Sequence, residues 1–197
     1  MASAAEIEVK FQIKHLAALT DKLGKNGFHL VTPRTHEMNT LYDTLDGALR
    51  ARGELLRIRR YGQTWKVTHK TKGGTGKHKT RMETETKIDD GQALATIFAA
   101  VGLVPSFRYE KFRTEWSDET GHVVLDETPI GNIAEIEGPP EWIDTTAEKL
   151  GINHSDYITD SYAQMFFEWK KKTKSNAQEM TWKAVGTPPP EHLETPM

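Results

Sequence analysis

Hydrophobic and charged residues alternate near the start of the chain, over residues 6–14, which read EIEVKFQIK. Ile7 and Val9 fall on one parity of this segment, and Glu6 and Glu8 fall on the other. Because successive side chains of a strand point to opposite faces, this period of two predicts a strand with one apolar and one charged face.

Seven further segments show alternation and short bounding turns, and we predict them as strands. They cover residues 36–43, 54–61, 64–71, 79–88, 107–116, 122–128 and 131–137. Apolar residues at helical spacing predict helices over residues 15–27, 89–101, 139–150 and about 160–172. Most connections between strands are short, so the sheet is predicted to be largely antiparallel and the fold class α+β.

Two segments lie outside this pattern. Residues 44–53 are polar and contain glycine, which predicts a loop, and residues 174–197 are polar with three consecutive prolines. We therefore predict one folded domain over residues 1–173 and a disordered C-terminal tail over residues 174–197.

Sorting the strands by parity gathers charge on one face of the sheet. That face holds seven acids and eight bases, which are Glu6, Glu8, Glu83, Glu85, Asp126, Glu135 and Glu137, and Lys10, Arg57, Arg59, Lys66, Lys70, Arg81, Lys111 and Arg113. Periodicity alone is compatible with an open sheet whose charged face meets water. It is equally compatible with eight strands closed into a barrel, whose interior would then hold these charges.

The amino-acid composition excludes several classes of function. The chain has 197 residues and no cysteine, which excludes disulfides, thiolate catalysis and zinc–cysteine sites. The formal net charge of −2 gives no overall field for nucleic acid or membranes, and no run of 18 apolar residues is present. We expect a cytoplasmic protein with neither nucleic acid nor membrane as a partner, and a homodimer remains open.

Mixed acids and bases on one face point to a particular kind of ligand. Arginine and lysine bind phosphate oxygens, and clustered carboxylates hold Mg²⁺ or Mn²⁺. Nucleic acid would need the bases without the acids, and a calcium site would need the acids without the bases. A small-molecule polyphosphate with a divalent metal therefore fits this face best.

Seven ordered motifs resemble the CYTH superfamily, the triphosphate tunnel metalloenzymes, over about residues 5–170. The ExExK run of Glu6, Glu8 and Lys10 resembles the family's N-terminal signature. The remaining motifs follow in the family's order and are Arg57-Ile58-Arg59, Lys66 to Lys70, Arg81-Met82-Glu83-Thr84-Glu85, Lys111-Phe112-Arg113, Leu125-Asp126-Glu127 with Gly131 and Glu135-Ile136-Glu137, and Ser161-Tyr162.

The resemblance implies an eight-stranded antiparallel β-barrel, open as a tunnel, with helices packed outside. It implies Glu6, Glu8 and Glu137 as main ligands of Mg²⁺ or Mn²⁺, while Glu83, Glu85, Asp126 and Glu135 would assist the metals or orient water and neighbouring bases. It also implies a set of phosphate-binding bases, which are Lys10, Arg57, Arg59, Lys66, Lys70, Arg81, Lys111 and Arg113. The catalytic set would be Glu6, Glu8, Lys10, Arg59, Glu85, Asp126 and Glu137.

Three functions remain open on the sequence. The family includes inorganic triphosphatases and thiamine triphosphatases, so the first is metal-dependent hydrolysis of inorganic tripolyphosphate or an organic triphosphate. The second is a class IV adenylate cyclase that converts ATP to cyclic AMP and pyrophosphate. The third is a non-catalytic polyphosphate- or nucleotide-binding module, which the acids disfavour because binding an anion does not require seven carboxylates beside it.

Overall fold

A computed structural model describes residues 4–74 and 76–191. Its strands are β1 (Ala4–Gln12), β2 (His29–Thr44), β3 (Leu55–Tyr61), β4 (Thr64–Lys70), β5 (Lys79–Ile88), β6 (Leu103–Ser117), β7 (His122–Thr128) and β8 (Gly131–Glu137). Its α-helices are α1 (Leu16–Lys25), α2 (Ala48–Ala51), α3 (Gly91–Ala100), α4 (Pro140–Leu150), α5 (Tyr162–Thr173) and α6 (Trp182–Val185).

The eight strands form a closed barrel in the order β1-β5-β4-β3-β2-β6-β7-β8. Every neighbouring pair is antiparallel, including the closing pair of β1 and β8. The prediction of an α+β fold with an eight-stranded antiparallel barrel is confirmed, and the open-sheet alternative is wrong. Within the described residues, no helix combines the length and apolarity needed to cross a bilayer.

The main hydrophobic core lies outside the barrel. Helices α1 and α4 cover the outer faces of β1, β7 and β8, where Val9 and Ile136 meet Ile143 with no exposed surface. Helix α4 begins with Pro140 at a position where its missing N–H is not needed, and it ends at Gly151, whose φ of 73° favours glycine. With the apolar parity buried under helices, the charged parity of the same strands faces inward.

A second apolar cluster closes one end of the barrel. Phe166 of α5 is fully buried and packs with Phe107, an inward residue of β6, with 5.4 Å between ring centroids. Ile133 of β8 and Tyr162 of α5 belong to the same cluster. Helix α5 therefore lies across this end of the tunnel.

Residues 174–191 of the predicted tail include helix α6 and a segment that packs against the barrel. Met180 is fully buried and makes a parallel β-bridge with Tyr109, and the Glu110 N–H donates to the Met180 carbonyl at 3.1 Å. The segment occupies an edge of β6 that β7 leaves uncovered, because β7 pairs with β6 only from Phe112 onward. Residues 192–197 of the predicted tail lie outside the described residues.

The predicted elements differ from the structure in two further places. Strand β2 begins at His29 rather than residue 36, since its first half pairs with the equally long β6. The predicted loop over residues 44–53 contains the short helix α2, whose N-terminus the Asp43 carboxylate caps by accepting bonds from the Leu49 and Arg50 N–H groups at 2.8 and 3.0 Å.

Candidate active site in a charged tunnel

The barrel encloses a cavity of about 1020 Å³ whose wall carries most of the predicted site residues. The predicted residues that line it are Glu6, Glu8, Lys10, Arg57, Arg59, Lys70, Arg81, Glu83, Glu85, Lys111, Arg113, Glu135 and Glu137. Two predicted residues do not line it. Lys66 donates to Glu85 at 2.6 Å from a partly exposed position, and Asp126 has no exposed surface.

Three carboxylates, Glu6, Glu8 and Glu137, form what we call the acidic cluster. Glu8 lies directly opposite Glu137 across the β1–β8 pair, and Glu6 precedes Glu8 on the same face of β1. Lys70 donates to both Glu6 oxygens at 2.5 and 2.6 Å, and Lys79 donates to Glu8 at 3.0 Å. Among the described residues, no side chain donates a hydrogen bond to the Glu137 carboxylate.

The pKa values within the acidic cluster diverge. Burial would raise the pKa of Glu8, but the Lys10, Lys79 and Lys70 ammonium groups together lower it to about 2. Burial raises the pKa of Glu137 to about 7, and the nearby Glu6, Glu135 and Glu8 carboxylates add to the rise. The pKa of Glu6 is raised as well, mainly by burial. Within the described residues, Glu137 is thus the member of the acidic cluster that no lysine pairs, whereas Glu6 and Glu8 each accept from one or more lysines.

A second group, which we call the Asp126 network, is fully paired. The Asp126 carboxylate accepts bonds from Lys111 at 2.8 Å, from Arg113 at 2.6 and 2.7 Å, and from the Tyr162 hydroxyl. Arg113 also donates to Glu135 at 2.6 Å. Burial lowers the pKa of the Arg113 guanidinium, but the Asp126 and Glu135 carboxylates raise it well above its usual value.

The Asp126 network fixes two bases at the cavity wall. Asp126 lies behind Lys111 and Arg113, and its oxygens are occupied by three donors from two elements, β6 and α5. A carboxylate in this position orients the bases in front of it. Its geometry gives no support to the expectation that Asp126 contacts a metal, whereas Glu6, Glu8 and Glu137 all face the cavity.

The arginines of the tunnel are held less completely. Arg59 donates to the Asn39 side chain at 3.1 Å, and Arg57 donates to the Tyr109 and Thr68 hydroxyls at 3.3 and 3.2 Å. The Nε donors of Arg57 and Arg81 are buried and have no partner within the described residues. An unpaired buried donor is costly, so both arginines leave donor capacity for an anion in the tunnel.

Five residues of this site were not predicted: Glu37, Asn39, Lys79, Tyr109 and Tyr162. The first four face inward by strand parity, so the alternation of β2, β5 and β6 carried the signal that would have placed them. Glu37 is fully buried beside Arg59 and Lys111, and these bases outweigh its burial and lower its pKa. Tyr162 gave no such signal, because a tyrosine in an apolar helical stripe predicts core packing, which it also provides.

The donor chemistry of the acidic cluster fits a divalent cation. Within residues 4–74 and 76–191, no three carboxylate or histidine side chains converge as a preformed metal site, since Glu6 and Glu8 turn toward lysines. The cluster nevertheless offers only oxygen ligands, which Mg²⁺ and Mn²⁺ prefer. Glu137 has no hydrogen-bond donor among the described side chains, and its pKa is raised first by burial and then by the neighbouring carboxylates, both of which a bound cation would offset.

The fold and the site together define a class of protein, in which an antiparallel β-barrel brings acidic and basic side chains to the wall of one cavity. The family model described as the CYTH domain matches residues 4–162, and the chain belongs to this family. The resemblance inferred from the motifs is thereby confirmed.

Three individual relatives are between 17% and 27% identical to this chain. The chain is 27% identical, over 81% of its length and 97% of the relative's, to a Methanocaldococcus jannaschii protein named "Putative adenylate cyclase". A Vibrio parahaemolyticus structure of the same description has a TM-score of 0.73 at 17% identity, covering 84% of this chain and 99% of that one. A Hippeastrum structure, described as a "Putative adenylyl cyclase" with a dominant triphosphatase activity, has a TM-score of 0.63 at 22% identity, covering 83% and 95%. These two structures show a shared fold.

Proposed function

We propose that this protein hydrolyses a triphosphate in its tunnel with the help of a divalent metal. One observation carries the proposal: three neighbouring carboxylates, of which Glu137 has no hydrogen-bond donor among the described side chains, share the wall of one cavity with firmly oriented bases. Either group alone would suit a simpler ligand. Together they match the two halves of a metal–triphosphate complex, the cation and the anion.

The bases would bind and orient the phosphate groups. Lys111 and Arg113 are held in place by Asp126 before any ligand enters, and Lys10 is held between Glu8 and Glu135. Pre-positioned charges in a cavity of low dielectric stabilise developing negative charge without a cost of reorganisation. Arg57 and Arg81 would add donors that have no partner in the described protein.

The acids would hold the metal and shape the reacting end of the substrate. Glu6, Glu8 and Glu137 would supply its oxygen ligands, with Glu83, Glu85 and Glu135 nearby in the tunnel. When bound there, Mg²⁺ or Mn²⁺ would neutralise phosphate charge and lower the pKa of a coordinated water. Helix α5 would limit the entry of bulk water at its end of the barrel, because Tyr162 and Phe166 are buried there.

Adenylate cyclase activity is the second candidate, and the name of the Methanocaldococcus jannaschii relative supports it. A cyclase would bind the same triphosphate but would activate the ribose 3′-hydroxyl of ATP in place of water. The description of the Hippeastrum protein as having a dominant triphosphatase activity shows that the cyclase name and hydrolysis can go together in that protein. This favours hydrolysis as the first activity to test.

One assay separates the candidates. Purified protein would be incubated with Mg²⁺ or Mn²⁺ and with tripolyphosphate, thiamine triphosphate or ATP, and phosphate, pyrophosphate and cyclic AMP would be quantified. We expect phosphate release that depends on the metal. Cyclic AMP as the main product would overturn the hydrolase, and binding without any product would indicate a non-catalytic module.

A further inference from the structure

The chain continues beyond its match to the CYTH domain, which ends at residue 162. We call residues 174–191 the C-terminal segment. Ala177, Met180 and Thr181 of this segment are buried, and Met180 has no exposed surface. Because buried side chains belong to the packed interior, the segment is a part of the folded barrel and not an appendage to it.

The C-terminal segment pairs with β6 at Tyr109, where Met180 forms a parallel bridge. Two backbone hydrogen bonds flank Tyr109. The Met180 N–H donates to the Arg108 carbonyl at 3.0 Å, and the Glu110 N–H donates to the Met180 carbonyl at 3.1 Å. Because paired residues of neighbouring strands point to the same face, Met180 lies beside Tyr109 on its side of the sheet, and both belong to one buried cluster.

A second set of contacts fastens the C-terminal segment next to this bridge. The Trp182 N–H donates to the Glu110 carboxylate at 2.8 Å, and the same carboxylate contacts a ring nitrogen of His36 at 2.8 Å. The ring centroids of Trp182 and Phe112 lie 6.4 Å apart. The segment is therefore attached to β6 directly and, through His36, to β2.

Tyr109 connects the C-terminal segment to a phosphate-binding arginine. Its hydroxyl is one of the two that accept hydrogen bonds from Arg57, at a distance of 3.3 Å. Its ring stacks on that of Tyr162, with 5.5 Å between the centroids. Tyr109 and Arg57 line the cavity, whereas Met180 has no exposed surface, so Met180 would influence a ligand only through Tyr109.

We propose that the C-terminal segment positions Arg57 for triphosphate binding, with Met180 fixing Tyr109 and Tyr109 orienting the guanidinium. The inference rests on the proposed triphosphate site, in which Arg57 binds phosphate. Strand β7 pairs with β6 only from Phe112 onward, so the segment supplies the hydrogen bonds of this β6 edge at Tyr109. A strand edge with unpaired N–H and C=O groups is held less firmly, and the Tyr109 ring would then lose its fixed place.

The variant Met180→Ala in the full chain tests this positioning role. Calorimetry would measure the Kd for tripolyphosphate in the presence of Mg²⁺. The truncation leaves a cavity next to Tyr109, so Arg57 should lose part of its orientation. We expect the Kd to rise at least about fivefold, because a hydrogen bond to a charged group contributes about tenfold or more to an equilibrium. Met180→Leu fills a similar volume and should keep the Kd within about twofold of the wild type.

Two control variants separate positioning from a general loss of stability. Leu150→Ala truncates a buried side chain of α4 in the other hydrophobic cluster. It should lower the denaturant midpoint to a similar extent as Met180→Ala and leave the Kd unchanged. Glu179→Gln changes the neighbour of Met180, whose carboxylate lies 3.9 Å from Arg108, and should alter neither quantity.

The route through Tyr109 is tested by combining Met180→Ala with Tyr109→Phe. Tyr109→Phe removes the hydroxyl that accepts from Arg57 and should itself raise the Kd. Adding Met180→Ala to it should then raise the Kd by less than about twofold, because two changes on one route are not additive.

Three results would overturn the inference: an unchanged Kd in Met180→Ala, an equal rise in Leu150→Ala, or the same rise from Met180→Ala with and without the Tyr109 hydroxyl. Each of them leaves the proposed hydrolysis standing. A wild-type protein that binds tripolyphosphate without hydrolysing it would refute the proposed function, yet the predicted pattern of Kd values would still support the positioning role.

Discussion

The acidic cluster and the Asp126 network lie on the same barrel, yet their carboxylates are paired to very different degrees. In the Asp126 network a fully buried carboxylate is paired with Lys111, Arg113 and Tyr162. In the acidic cluster Glu137 has no hydrogen-bond donor among the described side chains, and its pKa is raised to about 7. In one region every carboxylate oxygen is paired, and in the other one carboxylate is left without a donor among the described side chains.

This difference separates the residues that stabilise the site from the residues that would bind a ligand. Buried charges are tolerated when they are paired, so the Asp126 network is consistent with a stable scaffold. Carboxylates that repel one another lower stability and are retained where function needs them. The comparison therefore predicts that equivalent acid-to-amide changes will have opposite consequences in the two regions.

The largest effect is expected from Asp126→Asn. The amide cannot balance Lys111 and Arg113, and leaving buried charges without their partner costs about 3–5 kcal/mol of unfolding free energy. Denaturant unfolding followed by circular dichroism would measure the loss. Glu168→Gln, on the exposed face of α5, is the control and should leave the midpoint unchanged. An Asp126→Asn protein as stable as the wild type would contradict the scaffold role.

The next largest effect is expected on activity, from Glu137→Gln. Loss of one proposed metal ligand should lower kcat by at least about 10²-fold, as losses of other electrostatic catalytic groups do. Unlike Asp126→Asn, this change should leave stability equal or higher, because it removes a repelled carboxylate. Glu8→Gln should lower kcat to a similar extent. Glu179→Gln, on the outer C-terminal segment, should retain full activity, and full activity in Glu137→Gln with saturating metal would refute its assignment.

A smaller effect is expected from Tyr162→Phe. The change removes one donor from Asp126 while the salt bridges to Lys111 and Arg113 remain, which should cost about 1.5–3 kcal/mol of unfolding free energy. Because the bases lose part of their orientation, kcat should fall more than the affinity for triphosphate. Steady-state kinetics beside unfolding curves would measure both. An unchanged kcat would show that Tyr162 contributes to packing and not to the orientation of Lys111 and Arg113.

The smallest effect is a dependence of stability on pH from Glu137. Its pKa rises from 4.5 unfolded to about 7 folded, so the folded state binds the proton more tightly. The penalty is therefore absent below pH 4.5, grows between pH 4.5 and 7, and is complete above pH 7. With chelator present, it should be on the order of 1 kcal/mol after allowance for solvent screening. Unfolding curves at pH 5 and pH 8 for wild type and Glu137→Gln would isolate it, and an identical pH dependence in both proteins would contradict it.

Alternation along single strands was enough to predict which charged residues face the inside of the barrel. It was not enough to predict which of them are paired and structural and which are left to bind a ligand. Parity places Glu137 and Asp126 alike on the charged face, since it encodes direction and not depth or partners. Their difference arises from α5, which brings Tyr162 to Asp126 from a distant part of the chain. The same limit explains the C-terminal segment, because parity gives no sign that β7 leaves an edge of β6 uncovered for Met180 to pair with.

A crystal structure with Mn²⁺ and tripolyphosphate, with the metal located by its anomalous scattering, would test most directly whether the acidic cluster binds the metal of a triphosphate complex. We expect a manganese peak among the Glu6, Glu8 and Glu137 carboxylates, with phosphate groups beside Lys111 and Arg113. Manganese and phosphate bound outside the barrel, with the acidic cluster still turned toward its lysines, would contradict it.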